Sequence, residues 1–223
     1  MRKSFVLWLA VGAVMFAAAP VLVERAPYES TMGLVQKIFY YHAPLGMMMF
    51  LSAFVSGLAA AVYLFKGPAG ADRVSFAAAE ITVLFGSMVL VTGPLWARKA
   101  WGVWWQWDAR LTSSLLLWMI FVAYLLVRRY GGPGSDKLAA AVSLFGMANV
   151  PFVYVSVNVW RTLHPKTSVV PTLQPGMRGV FWFCAAAFAV LYALLLSVRV
   201  RLASQQAELE RLYLELDDRA DSE

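Results

Sequence analysis

The sequence predicts an all-α polytopic membrane protein, with six transmembrane helices and a tryptophan-rich external loop. Two observations carry that expectation. Of the 223 residues, 61% are apolar and only 14% are charged, with a mean hydropathy of +0.64, whereas globular chains are about half apolar and about a quarter charged. Six windows also reach, or nearly reach, the ~20 apolar residues a helix needs to cross a hydrocarbon core of ~30 Å.

The first window, Phe5–Val23, follows Arg2 and Lys3 and ends near Ala17-Ala18-Ala19. That pattern also fits a secretory signal with a small-residue cleavage site. The apolar run is long for a signal, and cleavage would leave the sides of the later loops unchanged. The second window is Leu45–Phe65, and the third, Val74–Trp96, contains Glu80, the one formal charge inside any window. An intramembrane carboxylate is costly and functional by default, so Glu80 is either a hydrogen-bonding partner beneath a ligand site or a group snorkelling to the nearer helix end. Leu111–Val127 is the shortest window, followed by Leu138–Val157 and Gly179–Val198. These form one domain, residues 1–198. Beyond it the tail, 199–223, places Leu202, Leu209 and Leu216 seven apart with Leu212 between them. A short amphipathic helix contacting a partner and a solvated helix with chance leucines both fit that pattern.

Alternation of direction puts the loops 24–44, 97–110 and 158–178 on one face. The N-terminus, 66–73, 128–137 and the tail share the other. The second face carries Arg2, Lys3, Lys66, Arg73, Arg128, Arg129, Lys137, Arg199 and Arg201 in about 25 residues, while the first has eight cations spread over about 56. By density, the positive-inside rule makes the second face cytoplasmic, with both termini, and the three longer loops periplasmic. The net charge of +6 then belongs to loops beside a lipid bilayer. No basic run exceeds two residues, so nucleic acid is not expected as a partner. The lone Cys184 excludes a disulfide framework and a CxxC pair. With only His42 and His164, no site needing three imidazoles exists.

Between Trp96 and Trp107 stand Trp96, Trp101, Trp104, Trp105 and Trp107, out of nine tryptophans in the chain. An aromatic belt needs only one or two rings per helix end. If helical, Trp101, Trp104, Trp105 and Asp108 fall on one face. They then form a rigid indole platform suited to a large planar ligand, flanked by Arg98, Lys99 and Arg110, which suit anionic groups at its edge. Haem fits that description. A quinone, a lipid head group or a bare interfacial anchor remain open on these residues. His42, ahead of the second window, and His164, after the fifth, lie outside the apolar windows and on the same face as the platform. Imidazole is the commonest haem ligand, so loop-borne ligation at one surface is expected, not conduction across the bilayer.

Trp101-Gly102-Val103-Trp104-Trp105-Gln106-Trp107-Asp108 resembles the WGxxWxWD signature, the "WWD" motif of haem-handling membrane proteins, and is closest to the CcmC family of cytochrome c-type biogenesis. The likeness extends through Val91-Thr92-Gly93 before it and Ala109-Arg110-Leu111-Thr112-Ser113 after it. Tyr41-His42-Ala43-Pro44 and Thr162-Leu163-His164-Pro165 match the family's two external-loop histidines. The resemblance implies a haem-binding subunit in the bacterial inner membrane that presents haem b, held non-covalently and in transit, at the periplasmic face. It also implies delivery to the haem chaperone CcmE and work alongside CcmA, CcmB and CcmD. It makes His42 and His164 the axial ligands, and Trp101, Gly102, Trp104, Trp105, Trp107 and Asp108 the haem platform and chaperone dock. Arg98, Lys99, Arg110, Arg161 and Arg178 are propionate candidates. For Asp108, pairing with an indole N–H, with the docking partner or with Arg110 are the options. No GxxxxGK[ST] loop occurs, so ATP hydrolysis is expected of partners and no catalytic residue of this chain. Two other readings are a cytochrome c haem lyase, which the short chain and the lack of buried histidines disfavour, and a quinone-binding anchor subunit.

Overall fold

A computed structural model describes residues 3–220; Arg2, counted above among the inward cations, and residues 221–223 lie outside them. The described chain forms six long helices: α1 (Lys3–Arg25), α2 (Phe39–Lys66), α3 (Ala69–Trp101), α4 (Ala109–Tyr130), α5 (Ser135–Val159) and α6 (Pro175–Ala220). A short 3₁₀ turn, Leu34–Ile38, leads into α2. All six helices are long and apolar enough to cross a membrane. Each apolar window therefore lies inside one helix, but the helices outrun the windows. α2 starts at Phe39, so His42 stands in its first turn and not in a loop. α3 runs on through Trp101. α6 continues without a break into the tail, so the leucines at 202, 209 and 216 ride on the last transmembrane helix and not on a separate short one.

Because lipid tails are as apolar as leucine, helix association in a bilayer relies on close packing and interhelical hydrogen bonds. Both are visible here. α2 packs most extensively on α3, where Ser52 Oγ donates to the Ala78 carbonyl at 2.7 Å and Ser56 Oγ to that of Ser75 at 2.9 Å. Ser143 Oγ of α5 lies 2.8 Å from Ser56 Oγ, drawing a third helix to the same point. A Cβ added at Gly57 would stand 2.4 Å from the Met147 Cβ, so α5 crosses α2 where a side chain is missing. Phe85, Leu117, Phe121 and Val153 fill the core between these helices, and α1 packs along α6.

Two ion pairs join helices of the bundle. Arg128 makes two bonds to Asp72, at 2.8 and 2.9 Å. Glu80 accepts two from Arg199, at 2.7 and 2.6 Å. This corrects the reading of Glu80 as a partner beneath the ligand site. Its carboxylate is held by a cation of α6, about three turns of α3 away from Thr92, where the site begins.

At the opposite end the three longer loops meet. A second apolar cluster of Val23, Phe39, Tyr40, Trp96, Met177 and Phe181 joins the ends of α1, α2, α3 and α6. The loop after α1 is tightened by Glu29, whose carboxylate accepts the Thr31 and Met32 N–H groups at 2.8 and 2.7 Å. The Met32 bond holds that carboxyl below its ordinary range.

Candidate functional site

A cavity of about 430 Å³ opens at this end, walled by the first turns of α2, the last of α3, the first of α4 and the 160–174 loop. Its lining is largely apolar and aromatic, as small-molecule sites generally are. His42 enters from α2 and His164 from the α5–α6 loop, with ring centres 6.4 Å apart and planes inclined at 46°. An imidazole nitrogen lies about 2.0–2.1 Å from a metal it ligates and about 1.1 Å from its own ring centre. Two imidazoles on opposite sides of one metal therefore have ring centres about 6.3 Å apart, and the observed spacing meets that requirement.

Each ring is anchored through Nδ1. His164 Nδ1 lies 2.8 Å from the Pro165 carbonyl, which can only accept, so Nδ1 carries the proton. His42 Nδ1 lies 2.8 Å from Thr92 Oγ1. The Thr92 hydroxyl also lies 2.8 Å from the Met88 carbonyl; with its proton on that carbonyl it accepts from the ring. His164 thus keeps its Nε2 lone pair unused, and His42 does so in the tautomer that donates from Nδ1, the arrangement in which a metal-ligating imidazole is oriented through its other nitrogen. Burial, aided by the nearby Arg110 guanidinium, lowers the His164 pKa to about 4, so its ring is neutral at pH 7 and able to ligate.

The walls separate the tryptophans. Trp96 meets His42 edge-on, with centroids 5.6 Å apart, and Trp101 lies 5.8 Å from Trp96. Trp101 and Trp105 line the cavity, whereas Trp104 and Trp107 are 57% and 77% exposed. The expected single helical face for Trp101, Trp104, Trp105 and Asp108 does not form. Gly102 takes φ 79°, a left-handed conformation that ends α3, and residues 103–107 run without regular structure. The platform is therefore split into an inner pair and an outer pair.

Asp108 bonds neither an indole N–H nor Arg110. One carboxylate oxygen caps α4 by accepting the Leu111 N–H at 2.8 Å, and the other accepts the Thr162 hydroxyl at 2.6 Å. Of the propionate candidates only Arg110 lines the cavity, donating to the Val153 carbonyl at 2.5 Å and lying over the Phe50 ring at 5.5 Å. Arg98 donates to the Gly102 carbonyl and so closes the end of α3. Lys99, Arg161 and Arg178 are exposed and do not line the cavity. Lys166 does line it and was missed.

Two residues of the flanking motif, Thr92 and Gly93, were given no role by sequence reasoning. Thr92 orients His42, and Gly93 makes room for it, since a Cβ there would lie 3.3 Å from His42 Cε1. A threonine–glycine pair one turn ahead of Trp96 in an apolar helix was the available signal. The indole N–H groups of Trp96 and Trp105 are buried without an acceptor from the protein. They are donors with no carbonyl or carboxylate partner among the described residues.

Fold and site together define a multi-pass, all-α membrane protein with a bis-imidazole, indole-walled cavity at one end of its bundle. The family described as heme exporter protein C matches residues 1–215. Heme exporter protein C of Bradyrhizobium diazoefficiens is 33% identical over 208 residues, covering 92% of this chain and 78% of that one. The Escherichia coli K12 protein of the same description is 31% identical over 209 residues, covering 88% and 82%. A putative cytochrome c biosynthesis ccmC-like mitochondrial protein of Marchantia polymorpha is 33% identical over 144 residues, covering 65% and 61%. The chain belongs to the heme exporter protein C family, CcmC.

Proposed function

We propose that this chain holds haem b at the periplasmic face of a bacterial inner membrane and passes it to the chaperone CcmE during cytochrome c maturation. The observation that carries the reading is the pair of imidazoles 6.4 Å apart, each with Nδ1 engaged and Nε2 free. Among the described residues no group of three or more histidine, cysteine or acidic side chains gathers to cage a bare ion. Two imidazoles alone suit a metal that arrives with its own equatorial ligands, and a porphyrin supplies four. Family membership and the density of cations on the far loops support the haem cargo and the orientation.

In this reading His42 and His164 are the axial ligands, Trp101 and Trp105 flank the macrocycle, and Arg110 neutralises a propionate. The buried N–H groups of Trp96 and Trp105 are further donors for the carboxylate edge. Trp104 and Trp107 face outward, where a chaperone docks. Energy for export comes from the CcmA–CcmB pair, with CcmD as an accompanying subunit, and this chain carries no turnover of its own. His42 is fixed on a helix while His164 rides a loop, so release proceeds by withdrawal of His164.

The test is the absorption spectrum of detergent-purified protein. A Soret band and a pyridine haemochrome signal are expected, and both should be strongly altered in His42→Ala/His164→Ala. A Soret band indifferent to loss of both rings would refute the assignment, and a protein purified without haem would point to a quinone-binding anchor.

A further inference from the structure

Thr162 has two hydrogen-bonding neighbours of unusual position. Its hydroxyl donates to Asp108 at 2.6 Å, and the same oxygen accepts the His164 backbone N–H at 3.0 Å. Asp108 is itself fixed, because its other oxygen caps α4 through Leu111 N. A continuous path therefore runs from the α4 N-terminus, through one carboxylate and one hydroxyl, to the backbone of His164. A charge-assisted bond of that length is among the stronger hydrogen bonds a protein makes. Further along, Asn158 and Thr167 bond each other at 3.0 and 3.3 Å and Val169, Val170 and Leu173 pack on the second apolar cluster, but between the end of α5 at Val159 and His164 the Thr162 hydroxyl is the side-chain tie to the tryptophan-rich loop.

We propose that Asp108 and Thr162 are positioning residues that latch the 160–174 loop to the tryptophan-rich loop and so hold His164 in ligating position. The inference rests on the reading of His164 as a ligand. It goes further by assigning the motif's carboxylate to the ligand loop, not to the cargo or to the docking partner. The latch also sits beside the exposed Trp107, one residue before Asp108. Whatever engages Trp104 and Trp107 from outside pulls on the backbone that carries the Asp108 carboxylate. Separating Asp108 from Thr162 frees the His164 N–H and the loop together, so docking and loss of one axial ligand become a single event.

Thr162→Val tests this directly, since it keeps the shape and removes the hydroxyl. In haem-loaded protein the Soret band of Thr162→Val is expected to move toward that of His164→Ala by at least half that variant's displacement, with a matching change in midpoint potential. In haem-free protein, amide exchange across 160–171 should accelerate at least tenfold, and Thr162→Ser should restore both readouts. Asp108→Ser keeps a good helix cap but falls short of Thr162. It should reproduce Thr162→Val, and the double variant should add nothing, the mark of two groups acting through one bond. If Thr162→Val does not fold, Asp108→Ser carries the same comparison. A wild-type spectrum and wild-type exchange in these variants, with His164→Ala clearly shifted, would overturn the latch while leaving ligation standing. Failure of Thr162→Ser to restore either readout would also overturn it. An unshifted His164→Ala would instead overturn ligation, and exchange alone would then decide whether the loops are joined.

Discussion

Thr92→Val isolates the support of His42 from the histidine itself. Valine matches threonine in shape and leaves the Met88 carbonyl within its helix, but removes the hydrogen-bonding partner of the buried Nδ1, now 2.8 Å away. Leaving a buried donor unpaired costs about 1–3 kcal/mol. The ring can escape part of that cost by rotating, which swings Nε2 out of the cavity. Either way the ligand geometry loses an amount that, at about 1.4 kcal/mol per decade, corresponds to roughly 5- to 150-fold in affinity. Loss of an outer partner of a metal ligand typically costs about 10- to 100-fold, so about tenfold is the central expectation. Haem titration of the apoprotein in detergent, followed at the Soret band, measures it, with circular dichroism to check the fold. Thr92→Ser should bind like the parent. An unchanged affinity in a folded Thr92→Val would mean that Nδ1 of His42 is not anchored by Thr92 when the cavity is filled.

The split of the tryptophans predicts a split of phenotypes. Trp104→Ala/Trp107→Ala should retain haem and fail to load the chaperone, whereas Trp105→Ala should lose retention itself; pull-down of haem-loaded chaperone and the Soret absorbance of the purified protein separate the two. Arg110→Gln should weaken haem about tenfold, a charged hydrogen bond being worth about 1.5–3 kcal/mol. Haem dimethyl ester, which has no carboxylate to neutralise, should bind parent and variant alike in the same titration. In the bundle, Gly57→Ala forces a Cβ to within 2.4 Å of Met147. It should lower stability by about 1–3 kcal/mol, the usual cost of overpacking, read as a fall in thermal midpoint in detergent.

Fold class and helix number were legible because a bilayer demands long apolar runs and backbone satisfied within each segment. Helix ends were less so. Hydropathy stops at the first polar residues, while α2 includes His42 and α3 includes Arg98 and Lys99 because their backbones still find partners. Family motifs singled out both histidines and the indoles, but the path of the tryptophan loop turned on one residue, Gly102, whose left-handed conformation breaks the helical face that spacing alone suggests. Residues that act on other side chains were hardest to see. Thr92 and Thr162 are ordinary threonines until α3 is laid against α2 and the 160–174 loop against the α4 cap. Glu80 stood out as a buried charge, yet its partner, Arg199, lies 119 positions away in what sequence alone places at the start of a tail.

α6 has one further property. Its 46 residues form a rod of ~69 Å at 1.5 Å per residue, more than twice the thickness of a bilayer core. Phe181 near one end is part of the cavity wall, and the exposed Leu209 and Leu216 occupy the other end. An unbroken helix resists bending far better than a jointed one, and the Glu80–Arg199 pair ties it to α3 along its length. A single covalent element therefore runs from the aromatic wall of the cavity to the leucines at the far end of the bundle.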